Sequence, residues 1–128
     1  MRRSILYLDD EAVCLEVFQA LFGDEFDVRA AASASDARRM LAERPADIVI
    51  SDQQMPEIKG TEFLGEVAAR FPASYRVLLS GSTHLFDVVP EVGAGLIHLF
   101  VPKPWTEETM RRMLERAGLH LEGGRHGR

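Results

Sequence analysis

The stretch Ile48-Val49-Ile50-Ser51-Asp52-Gln53-Gln54-Met55-Pro56 decides the fold of this chain, because a short apolar run ends there in an acidic residue and a turn. An apolar run without polar alternation is typical of a strand that is buried on both faces. Asp52 follows this strand, and Met55-Pro56 favours a loop after it. The stretch therefore predicts an inner strand of a covered sheet, with a carboxylate at its C-terminal end.

The same pattern recurs along the chain, since each apolar run is followed by a stretch with helical spacing. The predicted strands cover residues 5–8, 26–31, 48–50, 77–79 and 96–101. Apolar residues at helical spacing mark predicted helices within residues 13–22, 37–41, 63–71, 85–92 and 110–117. Ser33 and Asp36 form a capping box before the second helix, and Thr106 is the predicted N-cap of the fifth. Strict alternation of strands and helices requires an α/β fold with a parallel sheet covered on both faces, and both common doubly wound strand orders fit it.

Composition indicates a single soluble domain. The chain has 128 residues, 46% of them hydrophobic and 27% charged, which is enough for one core but short for two ordinary domains. No stretch approaches the roughly 20 apolar residues of a membrane helix, so we expect a cytoplasmic protein without a membrane partner. The net charge of −5 argues against direct contact with nucleic acid, whose binding surfaces are basic. The single cysteine, Cys14, excludes an internal disulfide and favours a small buried or half-buried hydrophobe over a redox sensor.

Polar residues follow four of the predicted strands. They are Asp9 and Asp10 after the first strand, Asp52 after the third, Ser80 after the fourth and Lys103 after the fifth. Because the carboxyl ends of parallel strands share one edge, these residues should converge. Three carboxylates there repel one another by about 3 kcal/mol per pair, at roughly 5 Å and an effective dielectric near 20. A hard cation such as Mg²⁺, together with Lys103, would balance that charge, and Asp52 would then be a nucleophile for phosphorus.

Four segments carry a family resemblance: Ile5-Leu6-Tyr7-Leu8-Asp9-Asp10-Glu11, Ser51-Asp52-Gln53-Gln54-Met55-Pro56-Glu57-Ile58-Lys59-Gly60, Leu79-Ser80-Gly81 and Lys103-Pro104-Trp105. Over roughly residues 4–117 the chain resembles the receiver domains of two-component response regulators, in the CheY-like superfamily. The resemblance implies a flavodoxin-like (βα)5 fold with strand order 2-1-3-4-5. It also implies that a sensor histidine kinase or phosphotransfer protein phosphorylates Asp52, and that this step controls an output domain or partner protein.

The resemblance further assigns roles to individual residues. Asp52 is the implied phosphoacceptor, assisted by Ser80 and Lys103. The implied ligands of Mg²⁺, for which Mn²⁺ can substitute, are Asp9, Asp10, Asp52 and the backbone carbonyl of Gln54. Ser80 and Phe100 form the implied switch, which alters the face made by helix four, strand five and helix five; that face is also the implied homodimer surface. For Phe100, a core aromatic at a strand end is the alternative interpretation. The Lys103–Pro104 peptide bond is implied to be cis.

Two prolines depart from the family pattern, and the C-terminus has a distinct composition. Pro90 lies inside the predicted fourth helix and removes a hydrogen bond, so that helix should kink or begin late. Pro102 restricts Val101 to extended geometry, which suits the end of a strand. Residues 119–128 are polar and rich in glycine, which predicts a flexible tail or linker stub behind a receiver domain of residues 1–118.

Two other functions compete with a phosphorylation switch. One is a phosphorylation-independent interaction module on the receiver fold, against which the intact acidic residues argue. The other is an enzyme of the haloacid dehalogenase type, which needs a second acid two residues after the nucleophile. Gln54 occupies that position, so we expect no turnover of external phosphoesters. The remaining chemistry would be self-phosphorylation from small phosphodonors and autodephosphorylation.

Overall fold

A five-stranded parallel sheet organises the molecule. A computed structural model of the protein describes residues 2–81 and 95–126. The strands are β1 (Ser4–Leu8), β2 (Asp27–Ala31), β3 (Ile48–Asp52), β4 (Tyr75–Ser80) and β5 (Leu99–Pro102). They lie in the order β2-β1-β3-β4-β5, and all neighbouring pairs are parallel. The predicted strand order is confirmed, and it places β1 and β3 side by side at the centre.

Helices cover both faces of the sheet, as predicted. Within the described residues they are α1 (Ala12–Phe22), α2 (Ala34–Glu43), α3 (Gly60–Arg70) and α4 (Glu107–His126). Side chains of α1 and α4 pack in one apolar cluster, and those of α2 and α3 pack in a second cluster. The predicted fourth helix, with Pro90, lies outside the described residues. None of the described helices combines the length and apolar content that a membrane crossing requires.

The inner strands lack polar alternation because both of their faces are buried. Ile5 and Tyr7 of β1 belong to the cluster under α1 and α4, whereas Leu6 and Leu8 belong to the cluster under α2 and α3. All four side chains are fully buried. Since burying a large aliphatic side chain contributes about 1.5–3 kcal/mol, these strands form a rigid base for the loops at their C-terminal ends.

Two predicted helix caps are present. The Ser33 side-chain oxygen accepts a hydrogen bond from the Asp36 backbone N–H at 3.1 Å, before α2. Thr106 Oγ1 accepts one from the Thr109 backbone N–H at 3.1 Å, before α4. Each cap satisfies a backbone donor that the first helical turn leaves free. The Thr106 cap also fixes where α4 begins, directly after the loop that follows β5.

The predicted bounds of the last two strands are wrong, and Arg76 accounts for the difference. This residue is only 5% exposed inside β4. Its guanidinium donates to the carbonyls of Pro72, Ser74, Gly95 and Leu96, at distances of 2.7–3.3 Å. A charged residue can enter the sheet because these acceptors satisfy its donors, so β4 begins at Tyr75. The same hydrogen bonds hold residues 95 and 96 outside β5, which begins at Leu99.

Residues 119–126, which the sequence predicts as part of a flexible tail, belong to α4, which continues to His126. Leu121 packs against the cluster under α1 and α4. Arg3 donates to the Gly118 carbonyl at 3.4 Å and forms an ion pair with Glu122 at 3.2 Å. These contacts outweigh the cost of about 1 kcal/mol that a glycine imposes on a helix. The division between a receiver domain of residues 1–118 and a linker stub stays a prediction.

Candidate functional site

Three carboxylates meet where β1 and β3 end. Asp9 directly follows β1, Asp10 comes next, and Asp52 is the last residue of β3. One oxygen from each lies within 4.8 Å of the others. Asp9 is 0% exposed and Asp52 5%, whereas Asp10 is exposed. The sequence predicted this convergence from the shared edge of parallel strands, and the structure places the three side chains accordingly.

Lys103 brings a positive charge into this acidic cluster. Its ammonium lies 2.9 Å from Asp9 Oδ2, 3.1 Å from Glu11 Oε1 and 3.5 Å from Asp52 Oδ2. The Lys103 backbone N–H donates to the Ser80 carbonyl at 2.7 Å, which continues the pairing of β5 with β4. The Lys103–Pro104 peptide bond is cis, as predicted. Lys103 therefore reaches the site despite the preceding Pro102.

The negative charge is only partly balanced. Burial, opposed by the Lys103 ammonium and reinforced by the Asp9 carboxylate, raises the pKa of Asp52 to about 6. Burial alone would lower the pKa of Lys103, but its hydrogen bonds with the Asp9 and Glu11 carboxylates outweigh burial, so its pKa is raised. Lys103 thus remains an ammonium, and an ionised Asp52 calls for further positive charge.

Ser80 ends β4 with a buried hydroxyl. The side chain is 1% exposed, and its Oγ has no hydrogen-bond partner among the described residues. The nearby Ser51, also buried, donates to the Asp52 carbonyl at 3.0 Å. Since an unpaired buried hydroxyl costs free energy, the Ser80 Oγ is a position where a ligand oxygen would be stabilised.

The loop after β3 is anchored close to Asp52. The Gly60 N–H donates to the Gln53 carbonyl at 3.1 Å, and a Cβ at Gly60 would collide with the Asp52 backbone carbonyl. Gln53 is buried, and its side-chain carbonyl accepts from the Thr61 N–H at 2.9 Å. The Gln54 side chain is exposed. The role predicted for the Gln54 backbone carbonyl stays a prediction.

Phe100 lies in the middle of β5 and is half-buried. It packs against the cluster under α2 and α3, and it is paired with Leu78 in the sheet register. This placement suits the alternative of a core aromatic as well as the predicted switch. The switch role of Phe100 therefore stays a prediction.

Sequence reasoning missed three residues that contact the acidic cluster directly or through another side chain. Glu11 shares the Lys103 ammonium, as described above. The Tyr7 hydroxyl lies 3.3 Å from Asp9 Oδ2, and Trp105 Nε1 lies 3.3 Å from that hydroxyl. Glu11 adjoins Asp9 and Asp10 and was the easiest of the three to suspect. In the sequence, Tyr7 fits the apolar run of β1, and only its hydroxyl distinguishes it from the aliphatic residues around it.

The donors present fit a hard divalent cation. Carboxylate and carbonyl oxygens are the ligands that Mg²⁺ prefers. Cys14 lies beside Asp9 and Glu11, but burial raises the pKa of its thiol to about 11, so it stays neutral at physiological pH. A neutral, half-buried thiol is a poor ligand for such a cation, and it agrees with the hydrophobic role predicted for Cys14.

Known proteins resemble this chain over nearly its whole length. The sequence model of the response regulator receiver domain family matches residues 5–115. The hydrogenase transcriptional regulatory protein HoxA of Cupriavidus necator is 33% identical over 127 residues, covering 96% of this chain and 26% of that protein. A protein-glutamate methylesterase/protein-glutamine glutaminase of Bradyrhizobium diazoefficiens is 32% identical, covering 87% of this chain and 31% of that protein. The chain thus spans between about a quarter and a third of the length of these curated relatives.

A solved structure of a receiver domain has a similar fold. The signal receiver domain of an HD domain-containing protein from Pseudomonas fluorescens Pf-5 superimposes with a TM-score of 0.89 at 28% identity. The match covers 96% of this chain and 99% of that one. The chain therefore belongs to the response regulator receiver domain family, whose members are phosphoacceptor domains of two-component signalling.

Proposed function

We propose that Asp52 accepts a phosphoryl group from a histidine of a sensor kinase or phosphotransfer protein in a Mg²⁺-dependent reaction. One observation carries this proposal: the Asp52 carboxylate lies close to the other two carboxylates and to the Lys103 ammonium, at the sheet edge where the buried Ser80 hydroxyl has no partner among the described residues. The nucleophile thus has carboxylates that would bind a cation and, in Lys103, an ammonium group nearby. Such a site suits an incoming phosphoryl group whose charge a cation neutralises.

Three side chains would have distinct roles in phosphoryl transfer. An Asp52 carboxylate oxygen forms the new P–O bond as the P–N bond of the donor breaks, and the donor imidazole leaves with the electron pair. Lys103 lies 3.5 Å from Asp52 and would pair with a phosphoryl oxygen. The Ser80 hydroxyl would donate a hydrogen bond to another phosphoryl oxygen. No general acid is needed, because the imidazole takes up its proton from solvent.

Asp9, Asp10, Asp52 and the backbone carbonyl of Gln54 would hold the Mg²⁺ ion, and Mn²⁺ would substitute for it. When bound, the cation offsets the repulsion among the carboxylates and neutralises charge on the transferred group. Asp9 is already oriented for this task, since its Oδ1 accepts from the Glu11 backbone N–H at 3.0 Å.

The signal would pass from the site to the neighbouring edge of the sheet. Ser80 is the register partner of Pro102, and Phe100 lies two residues earlier in β5. Movement of Ser80 toward the phosphoryl group would let Phe100 turn inward and alter the face made by the predicted fourth helix, β5 and α4. That face would bind an output domain, a partner protein or a second copy of the chain. The relatives of this chain include a transcriptional regulatory protein and a methylesterase, so receiver domains of this kind occur with different output functions.

The same site gives no reason to expect catalytic turnover of an external substrate. Gln54 stands two residues after Asp52, and its exposed amide cannot act as a general acid. The chain would therefore be a phosphoacceptor that reacts with small phosphodonors and slowly hydrolyses its own acyl phosphate.

Beryllium fluoride with Mg²⁺ tests this proposal, because it mimics an acyl phosphate. We expect amide chemical-shift changes in an NMR spectrum at Asp52, Ser80 and Phe100 that exceed and differ from those produced by fluoride and Mg²⁺ without beryllium. The Asp52→Asn variant should not respond. A silent wild-type spectrum, or a response that persists in the variant, would refute the phosphoacceptor role of Asp52.

A further inference from the structure

A short hydrogen-bonded chain joins the acidic cluster to an aromatic residue beyond it. Trp105 Nε1 donates to the Tyr7 hydroxyl at 3.3 Å, and that hydroxyl donates to Asp9 Oδ2 at 3.3 Å. Tyr7 is fully buried within β1, whereas Trp105 lies half-buried in the loop between β5 and α4. The chain thus runs from a predicted cation ligand to a different loop of the molecule.

The chemistry of the three groups fixes the direction of these hydrogen bonds. An indole N–H can only donate, so Trp105 occupies an acceptor lone pair of the Tyr7 oxygen. The single hydroxyl proton of Tyr7 is then directed toward Asp9, which as a carboxylate can only accept. Trp105 therefore orients the bond that Tyr7 makes to Asp9.

Aromatic packing holds the rings independently of this chain. Tyr7 stacks on Phe18 with a centroid distance of 4.4 Å and an interplanar angle of 11°. Phe18 in turn meets Trp105 edge-on at 6.0 Å, and Phe22 lies 6.5 Å from Trp105. Because these contacts fix the ring positions, the loss of the Tyr7 oxygen alone should leave the core intact.

The hydrogen bonds of Asp9 are nearly complete. Oδ2 accepts from Tyr7 and from the Lys103 ammonium, and Oδ1 accepts from the Glu11 backbone N–H. Since a carboxylate offers about four acceptor positions, the described residues leave one of them, on Oδ1. The Tyr7 bond thus helps to lock the carboxylate rotation that leaves this position for a cation.

We propose that Tyr7 and Trp105 are positioning residues, which orient Asp9 for the divalent cation and couple cation occupancy to the loop that carries Trp105. That loop borders a surface groove lined by Val13, Cys14, Val17 and Pro104 together with Trp105. Val13 and Val17 are 69% and 42% exposed. Cation binding at Asp9 would therefore change the conformation of this apolar surface as well as the surroundings of Asp52. The proposal rests on the cation site of the proposed function.

The test compares Tyr7→Phe with wild type in two measurements. Binding of Mn²⁺, followed by the electron paramagnetic resonance signal of the free ion, should weaken about tenfold in Tyr7→Phe. This is the lower end of the roughly 10- to 100-fold loss of affinity that follows removal of a group hydrogen-bonded to a metal ligand. Trp105 is the single tryptophan, so its fluorescence reports on the loop alone. Saturating Mg²⁺ should change Trp105 emission in wild type, and this change should lose at least half of its amplitude in Tyr7→Phe.

Tyr75→Phe is the matched control, because it removes the same atom from another buried tyrosine, at the opposite end of the sheet. It should match wild type in both measurements. Trp105→Phe, a second variant, should weaken Mn²⁺ binding about two- to threefold, because the Tyr7 hydroxyl loses its orienting donor.

The outcomes separate this inference from the proposed function. If wild type binds Mn²⁺ but Tyr7→Phe binds it equally well with an unchanged Trp105 response, the positioning role is refuted while the phosphoacceptor proposal stands. If wild type binds no Mn²⁺, both the cation site and the positioning role are refuted. Weaker binding in Tyr75→Phe as well would show a general effect of the lost oxygen, and it too would overturn the assignment.

Discussion

The buried Ser80 hydroxyl lowers the stability of the folded protein, and the same hydroxyl is available to bind a ligand. It has no hydrogen-bond partner among the described residues, so the folded protein carries the desolvation cost of that group. We predict that Ser80→Ala raises the free energy of unfolding by about 0.5–1 kcal/mol, as measured by urea denaturation. The same variant should lose most of the chemical-shift response to beryllium fluoride.

Ser51→Ala is the matched control for that prediction. The Ser51 hydroxyl is equally buried but donates to the Asp52 carbonyl at 3.0 Å. Its removal should therefore lower stability by about 1 kcal/mol. If Ser80→Ala were destabilising to the same extent, Ser80 would have a structural partner and would not be reserved for a ligand.

Single residues also show what the sequence could and could not reveal about the site. Asp9, Asp52, Ser80 and Lys103 were predictable because each lies at or just after the C-terminal end of a strand, and parallel strands end at a common edge. Trp105 follows a strand in the same way, but its contact with Tyr7 joins residues 98 positions apart. Contacts of this kind depend on side-chain packing, which no local pattern encodes.

At the scale of elements, three aromatic side chains join the N-terminal end of β4, the segment before β5 and α4. Tyr75 stacks on His98 at a centroid distance of 4.8 Å, and His120 lies 5.0 Å from both rings. His98 Nδ1 accepts from the Arg76 backbone N–H at 2.9 Å. Burial, with the charge of Arg76 and the nearby His120, lowers the pKa of His98 from 6.5 to about 4.

The lowered pKa of His98 predicts a loss of stability in mild acid. Because the unfolded chain binds a proton at higher pH than the folded one, the contribution of a neutral His98 is complete above about pH 6.5 and declines as the pH falls toward 4. His98 is half-buried, so we expect a loss of about 1 kcal/mol by about pH 5, less than the full linkage value.

His98→Asn isolates this effect, because asparagine keeps an acceptor for the Arg76 N–H but does not titrate. The stability advantage of wild type over the variant, from chemical denaturation at several pH values, should shrink between pH 7 and 5. A difference independent of pH would contradict the lowered pKa of His98.

The elements themselves were largely predictable, and the errors have a common physical origin. Apolar runs identified β1 and β3 because those strands are buried on both faces. The start of β4 was missed because Arg76 is charged, and the acceptors that permit its burial come partly from residues 95 and 96. The end of α4 was missed because Arg3 and Leu121 hold a glycine-containing segment that local propensity disfavours. In both regions, distant contacts override the local pattern.

At the scale of the whole molecule, folding concentrates negative charge at one edge of a chain whose net charge is −5. Burial, with Asp9 and Asp10, raises the pKa of Asp52 to about 6, so this group favours folding only while protonated, and its ionisation at neutral pH costs stability. We predict that, without divalent cations, Asp52→Asn raises the free energy of unfolding by about 1–2 kcal/mol at neutral pH.

Millimolar Mg²⁺ should reduce the difference in the free energy of unfolding between Asp52→Asn and wild type. Wild type should gain stability through ligand linkage, whereas Asp52→Asn should gain less because it lacks one anionic ligand. Asp27→Asn makes the same chemical change at an exposed pair with Arg44 and should show the Mg²⁺ response of wild type. Equal gains in wild type and Asp52→Asn would mean that Asp52 takes no part in cation binding.

The central claim is that Asp52 is the phosphoacceptor, and the most direct measurement is the mass of the intact protein after incubation with acetyl phosphate and Mg²⁺. We predict a gain of one phosphoryl group, located on the peptide that contains Asp52, and no gain in Asp52→Asn or after chelation of Mg²⁺. Absence of the added mass in wild type, or its appearance in Asp52→Asn, would contradict the account.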